Sequence, residues 1–361
     1  MRSLAIAVVV ACSVVALPRQ SSAQEADAAK LVERGVAYYK TAQAEDGSFT
    51  AEAGPGVTAI AVAALLKSGQ PVDDPVVAKG LAYVTKNLHE DGGVYGEGST
   101  HKNYETCIAM VAFEAANADG RYDDVLKKAA AFIKKEQWDD GEKLTEKDLA
   151  FGGAGYGGSS RPDLSNTAFL IDALQMVGTS PEDPAIQRAL LFVSRCQNLE
   201  TEHNTTEFAS KIGDGGFYYT IAAGGSSQAG ATEDGALRSY GSMTYAGLKS
   251  MIYAGVDKDD QRVKAAKDWI AKHYTLAENP GMAAAGLYYY YHTLAKTMKA
   301  LGDDTLKDDA GKEHNWREEL VATLAKSQQA NGSWTNTNER WLEGDPNLVT
   351  GYVLLALSYA K

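Results

Sequence analysis

Two kinds of helical segment alternate along the chain. One kind is apolar almost all the way round, and it covers residues 58–66, 106–116, 167–177, 244–254, 293–301 and 350–359. Each of these runs follows a segment that carries Lys, Arg and Glu on one face only. A helix that is apolar all round must be buried on both sides, whereas an amphipathic helix lies at the surface. The pattern therefore predicts an all-α protein, in which six helix hairpins form an α/α toroid with six buried helices inside six outer ones.

Short signals mark the ends of these helices. In the first hairpin an aromatic residue, Tyr38, is followed five positions later by Gln43 and then by a turn at Gly47. In the third hairpin the same spacing places the turn at Asp140 and Gly141. Most apolar runs end in glycine, which is the usual C-terminal stop of a helix. Acidic clusters follow, and they suit the N-cap and first turn of the next helix.

The turn element itself carries a family resemblance. The spacing Gln-x3-Gly-x-(Trp/Phe), found from Gln43 to Phe49 and from Gln328 to Trp334, resembles the repeat of the squalene cyclase and protein prenyltransferase superfamily. The resemblance extends over nearly all of residues 24–361 and implies one toroid domain. It also implies a central cavity that binds or transforms a hydrophobic, isoprenoid-type ligand.

Folds host many chemistries, so the function stays open at this point. If the protein is an enzyme, the resemblance implies cyclase-like or transferase-like chemistry. The alternative is an extracytoplasmic binding or scaffold protein, for a glycan or another ligand, without catalysis. Toroids of this kind also resemble those that bind corrinoids or cut polysaccharides. A shallow polar groove would favour a glycan, and a capped apolar hole would favour a terpenoid.

The first 23 residues have the features of a signal peptide. Arg2 precedes an apolar run over 4–17, which is too short to span a bilayer, and small residues follow at 21–23. We therefore expect a secreted or periplasmic protein whose mature domain is 24–361. Cys12, preceded by small and apolar residues, leaves a lipoprotein anchor as the alternative. No later segment is a plausible membrane span.

Charge narrows the range of partners. The chain has 35 Lys and Arg residues against 47 Asp and Glu residues, a net charge of −12. Nucleic acid is excluded as a partner because such proteins need a basic surface. We expect a small hydrophobic or anionic ligand instead, since the N-termini of the inner helices meet at one mouth of the ring and carry partial positive charge.

Comparison of the hairpins with one another gives the first candidate site residues. Every inner helix has a threonine near its start, but the residue before it varies and is polar at Glu105, Asn166 and His292. Burying a polar side chain costs free energy unless it is hydrogen-bonded. We therefore consider two hypotheses: these side chains contact a ligand, or they bond to backbone groups of the turns. Cyclase chemistry would need a protonated carboxyl group in an apolar cavity. The candidate catalytic residues are therefore Glu105, His292 and Asp163.

Aromatic and basic residues cluster at the same end of the predicted ring. The candidate ligand-binding residues are Asn166, Tyr104, Tyr240, Tyr245, Tyr289, Trp341, Arg161, Arg238 and Arg340. Aromatic rings suit a hydrophobic ligand, and arginines suit phosphate or carboxylate. The alternatives are core packing for the aromatic residues and solvated loop charges for the arginines.

Two motif matches do not predict a cofactor or a catalytic acid. His292 is similar to the zinc-ligand histidine of protein prenyltransferase beta subunits, but Arg238 and Tyr240 stand where that site has Asp and Cys. We therefore predict no metal and no other cofactor. The Asp-x-Asp-Asp sequence at 257–260 matches the protonation motif of class II terpene cyclases, but it occupies an acidic cap position at the other end of the ring.

Overall fold

The computed structural model describes residues 22–361, with side chains from residue 27 onwards. Apart from Ser22 and Ala23, the predicted signal peptide and Cys12 lie outside the described residues. Within them helices are the main regular structure, joined by long turns and loops, and one short antiparallel pair, β1 (Leu306–Lys307) and β2 (Glu313–His314), is present. No described helix is both long and apolar enough to cross a membrane.

The described helices alternate between an outer and an inner layer. The outer helices are α1 (Ser22–Ala42), α3 (Pro75–Lys86), α5 (Asp123–Lys135), α7 (Pro184–Arg195), α9 (Gln261–His273) and α11 (Trp316–Ser327). The inner helices are α2 (Pro55–Lys67), α4 (Lys102–Ala115), α6 (Leu164–Met176), α8 (Gly241–Tyr253), α10 (Leu287–Leu301) and α12 (Pro346–Tyr359).

The inner helices form a closed ring. Each packs against the next one along the chain, and α12 packs against α2. The outer helices lie against this ring, so that α5, for example, contacts both α4 and α6. The predicted all-α toroid is confirmed.

A repeated glutamine ties neighbouring hairpins together. The Gln43 Nε2 amide donates to Gly47 O in its own turn (3.0 Å) and to Val76 O in the next outer helix (2.8 Å). Gln137 and Gln197 make the same pair of bonds. Gln328 donates to Leu31 O in α1 (3.0 Å), which joins the last hairpin to the first.

The turn glycine is required by both backbone conformation and space. Gly47 has φ 92°, and a Cβ there would lie 2.4 Å from Lys79 O of the next outer helix. In the third hairpin Gly152 occupies this place, with φ 86°. The prediction that Asp140 and Gly141 form this turn was wrong, because Gln137 bonds to Gly152 O, 15 positions on, whereas Gln43 bonds to Gly47 O, 4 positions on. The third hairpin therefore has an insertion of 15 − 4 = 11 residues before its turn glycine.

The shared threonine fixes the turn to the inner helix. The Thr58 hydroxyl accepts from the buried Phe49 N–H at 2.9 Å. The contact recurs at Val94 N to Thr106 Oγ1, Ala154 N to Thr167 Oγ1, Phe217 N to Thr244 Oγ1 and Trp334 N to Thr350 Oγ1. In α10 the threonine, Thr293, is the seventh residue of the helix and lies about one turn deeper.

Acidic residues cap outer helices at the opposite end of the ring. Asp74, Asp183 and Asp260 each accept from a backbone N–H in the first turn of the helix that they precede. Asp260 is the last residue of the Asp-x-Asp-Asp match. Its carboxylate is bonded to the backbone and side chain of Arg262, so this segment caps α9.

Candidate functional site

A cavity of about 310 Å³ opens at the ring end where the inner helices begin. Every inner helix contributes to it. The wall consists of Ala53, Gly56, Val57, Ile60, His101, Tyr104, Tyr156, Ser165, Phe169, Tyr219, Tyr240, Ser242, Met243, Gly286, Tyr289, Trp341, Leu342, Glu343, Leu348 and Tyr352. The predicted position of the chamber, at the glycine-turn end, agrees with this geometry.

Aromatic rings dominate the wall, and several of their hydroxyl groups are already bonded within the protein. The Tyr289 hydroxyl lies 3.0 Å from Ser165 Oγ, and the Tyr104 hydroxyl lies 3.4 Å from that of Tyr352. Burial raises the pKa of Tyr104 to about 12, so this phenol stays neutral. The wall therefore presents ring faces and neutral hydroxyls to the chamber.

Most of the helix N-termini around the chamber already have hydrogen-bond acceptors. Tyr156 O accepts from the first turn of α4, Tyr219 O from that of α6, Asn279 Oδ1 from that of α8, Glu343 Oε1 from that of α10 and Asp345 Oδ1 from that of α12. The expectation that these N–H groups would hold an anionic ligand is therefore not met at those five helices. The sixth inner helix, α2, begins at Pro55 without a side-chain cap.

Glu343 is a buried carboxylate on the wall that the sequence analysis missed. It is 1% exposed, accepts from Tyr289 N at 2.8 Å and accepts from Asn336 Nδ2 at 2.6 Å. Burial raises its pKa, whereas the bonds from α10 and Asn336 oppose that rise. Helix α10 follows Gly286, which has no side chain to cap it, so Glu343 supplies the cap from the sixth hairpin. No local sequence signal marks this role.

Glu105 does not line the cavity. Its carboxylate accepts from Gly96 N and from the Ser99 hydroxyl, both at 2.8 Å. Burial raises its pKa. The second hypothesis, that this residue satisfies turn backbone, accounts for these contacts.

Asn166 and Asp163 pair with each other behind the wall. Asp163 caps α6 by accepting from Asn166 N (2.9 Å) and from Asn166 Nδ2 (2.7 Å). Burial raises the pKa of Asp163 to about 6. The Tyr219 hydroxyl is bonded to this carboxyl group, and the Tyr219 ring lines the chamber. Asp163 thus approaches the cavity through a tyrosine and not by direct exposure.

His292 lies beneath the chamber floor. Because α10 begins at Leu287, its third residue, Tyr289, takes the wall position that Val57 and Met243 hold in their helices. His292 lines instead a smaller void of about 30 Å³, which shares Ile60 and other floor residues with the main cavity. Burial lowers the pKa of His292 to about 3, so the ring is neutral.

A buried charge cluster lies beside this lower void. Asp172 Oδ2 accepts from Lys249 Nζ and, at 2.8 Å, from Lys296 Nζ. Burial alone would raise the pKa of Asp172, but the two ammonium groups lower it. These residues come from α6, α8 and α10, so the cluster joins three inner helices. It was not predicted, because each charge stands alone in an otherwise apolar run.

The other predicted ligand-binding residues divide between the chamber, the core and the rim. Tyr104, Tyr240, Tyr289 and Trp341 line the chamber. Tyr245 does not, because it packs in the core against Tyr290, with ring centroids 5.6 Å apart. Arg161, Arg238 and Arg340 are exposed and are not wall residues.

The chamber mouth carries an exposed tryptophan. Trp341 is 42% exposed and has φ 55°, and the Arg340 guanidinium lies 4.1 Å from its ring centroid. In the described part of the chain no cluster of three or more His, Cys, Asp or Glu residues could hold a metal ion. Two of the residues compared above with zinc ligands are far from forming a metal site. Tyr240 lies in the aromatic wall of the chamber, and His292 lies beneath the chamber floor.

Comparisons with known proteins agree with this architecture. The family model for the squalene-hopene cyclase C-terminal domain matches residues 52–222. Over these residues the chain is similar to that domain, and its fold is an α/α toroid. No curated protein matches the sequence of this chain.

Solved structures share the toroid at low sequence identity. A type II terpene cyclase from Scytonema, bound to geranylgeranyl dihydroxybenzoate as substrate, is 13% identical, with TM-score 0.56 over 94% of this chain and 98% of that one. An unsaturated glucuronyl hydrolase specific for heparin is 13% identical, with TM-score 0.58 over 93% and 97%. A protein from Actinoplanes is 14% identical, with TM-score 0.54 over 92% and 99%. At such identities these matches concern the fold alone.

Proposed function

We propose that this toroid binds a hydrophobic ligand of the isoprenoid class in its aromatic chamber. The observation that carries the proposal is the wall, where rings from all around the chamber face a volume of about 310 Å³. Ligand sites of a few hundred Å³ with predominantly apolar lining suit small molecules. Each Å² of apolar ligand surface removed from water contributes about 25 cal/mol.

Binding of a sugar is less well supported by the same wall. A glycan needs free donors and acceptors, but Tyr289 and Tyr104 already bond to neighbouring hydroxyls. Glu343 is committed to capping α10. The substrate-bound terpene cyclase neighbour supports a hydrophobic ligand. The neighbours also include a glucuronyl hydrolase and a glycosidase, so a glycan is the alternative ligand that the experiment must test.

The proposal concerns binding and not conversion. In the described residues, the carboxyl group on the wall, Glu343, is engaged, and Glu105 and Asp163 lie behind the wall. A location outside the cytoplasm, expected from residues 1–23, belongs to the same proposal. Fractionation of cells that express the full chain tests it, and a protein recovered uncleaved in the cytoplasm would contradict it.

Ligand binding can be tested with a variant that fills the chamber. Gly56 lies on the wall, and a Cβ there would meet Glu105 at 3.8 Å and the wall residue Tyr104 at 4.0 Å, so the Cβ of Gly56→Leu fits and its larger side chain takes up space beside Tyr104. Geranylgeraniol is the probe, and Trp341 fluorescence and thermal unfolding are the readouts. At 100 times Kd, bound ligand should stabilise the protein by about 2.7 kcal/mol.

We expect Gly56→Leu to abolish both signals. The matched control is Ala37→Leu on the exposed face of α1, which should bind as the wild type does. Equal binding by Gly56→Leu, or stabilisation by an oligosaccharide and not by geranylgeraniol, would overturn the proposal.

A further inference from the structure

Three arginines meet on one short segment beside the chamber mouth. Arg161 Nη2 donates to Ser226 Oγ at 3.1 Å, Arg340 Nη2 donates to Gln228 Oε1, and Arg238 Nε donates to Ala231 O at 3.3 Å. Their partners all lie within residues 226–231. We call Arg161, Arg238 and Arg340 the rim arginines. Two of them come from loops just before α6 and α8, and Arg340 comes from the loop before α12.

The rim arginines contact only uncharged groups. No ion pair in the described structure includes any of them, whereas Arg188 pairs with Asp139 at 3.0 Å and Arg262 with Asp260 at 2.7 Å. The chain has a net charge of −12, so carboxylates are in excess. Glu343, three residues after Arg340, is buried on Tyr289 and Asn336. Within the described residues, none of the rim arginines is therefore paired with a carboxylate of the protein.

This charge borders the apolar chamber directly. The Arg340 guanidinium stacks on Trp341, whose ring lines the chamber, and Arg238 is two residues from Tyr240, another wall residue. A guanidinium is planar and presents paired N–H donors that match the oxygens of carboxylate or phosphate. Stacking on an aromatic ring leaves that donor edge available.

We infer that the ligand of the chamber is an anionic amphiphile, whose carboxylate or phosphate head binds the rim arginines while its hydrocarbon body fills the aromatic cavity. This inference rests on the proposed function, because it assigns a head group to the same ligand. The wall supports this placement of the head group, because five of the six described inner helices already have a protein acceptor at their N-terminus.

Three probes with the same hydrocarbon chain separate the head group from the body. They are geranylgeraniol, geranylgeranoic acid and geranylgeranyl monophosphate, titrated into the full protein by calorimetry. We expect the two anionic probes to bind at least ten-fold more tightly than the alcohol. Their advantage should shrink in high salt, because exposed charges are screened. The ratio between the acid and the monophosphate identifies which oxyanion the rim prefers.

The double variant R161Q/R340Q should remove the advantage of the anionic probes and leave geranylgeraniol binding unchanged. Arg121→Gln is the control, because Arg121 is exposed and paired with Asp119 far from the rim arginines in sequence. Unchanged thermal unfolding of the double variant shows that it folds.

The possible results distinguish failure of the head-group inference from failure of the proposed function. If all three probes bind equally, or if the double variant keeps the anionic preference, the head-group inference is overturned and the apolar chamber stands. If none of the probes binds the wild type, the proposed function fails and the inference fails with it.

Discussion

Asp172 offers the sharpest test of how the ring core is held together. Its carboxylate is 6% exposed and accepts from Lys249 and Lys296, whose side chains are 5% and 16% exposed. Replacing it by Asn leaves two buried ammonium groups without a negative partner. Removing one member of a buried ion pair costs about 3–5 kcal/mol. With an unfolding entropy of about 2.1 cal/mol/K per residue over roughly 340 residues, this corresponds to a fall in Tm of about 4–7 °C.

The cost in Asp172→Asn should depend on pH. Burial already lowers the pKa of Lys249 to about 8 with Asp172 present, and the loss of the carboxylate lowers it further. The unfolded-state pKa is near 10.4, so the folded state binds fewer protons than the unfolded state between the two values. Stability of the variant therefore rises as pH increases through this window, because Lys249 becomes neutral. The deficit relative to the wild type should be largest below pH 7 and smaller at pH 9.

The assay is thermal and urea unfolding of wild type and Asp172→Asn from pH 6 to pH 9. Glu114→Gln is the control, because the Lys67–Glu114 pair is exposed and such pairs contribute about 0–1 kcal/mol. A triple variant with Leu at 172 and Met at 249 and 296 should recover most of the loss, since apolar replacement of a buried ion cluster is often neutral or stabilising. A deficit in Asp172→Asn below about 1 kcal/mol at every pH would refute the reasoning.

Three further predictions concern the turns and the cap of α6. Thr244→Val leaves the buried Phe217 N–H without its 3.1 Å acceptor and should cost about 1–3 kcal/mol in urea unfolding; a neutral effect would contradict the role of the shared threonine. Gly152→Ala forces a side chain into φ 86° and against Arg188 O, so Tm should fall well beyond the scatter of surface variants; an unchanged Tm would contradict the assigned turn. Asp163 has a folded-state pKa raised to about 6, so its contribution to stability is lost as pH rises from 4 to 7, by about 3 kcal/mol; Asp163→Asn should flatten that part of the profile, and an unaltered profile would contradict the assignment.

The toroid was predictable because its signals recur in every hairpin. An error in one copy does not change the architecture, as the third hairpin shows: Asp140 and Gly141 satisfy the local spacing, yet the turn lies at Gly152. Sequence spacing cannot detect an insertion that already contains its own glycine. The bond from Gln137 to Gly152 O, which identifies the turn, is visible only in three dimensions.

The candidate site was predicted less completely. The end of the ring and four wall aromatics were identified, but His292 was aligned on Thr293, which lies one turn deeper in α10 than the other threonines in their helices. The polar side chain of Glu105 bonds to turn residues, and that of Asn166 bonds to the Asp163 cap of α6. Asp172 and Lys249 are 77 positions apart, and nothing in either segment indicates that they meet.

The bond from Gln328 to Leu31 spans 297 positions and completes the ring. Contacts so distant along the chain form slowly, since a large loop must close before they add stability. Until α12 docks on α2, the chamber lacks Leu348 and Tyr352 and has an open side. The appearance of ligand binding during refolding would therefore report this last docking step. A ligand that binds only the closed ring would also stabilise the docked state of the final hairpin.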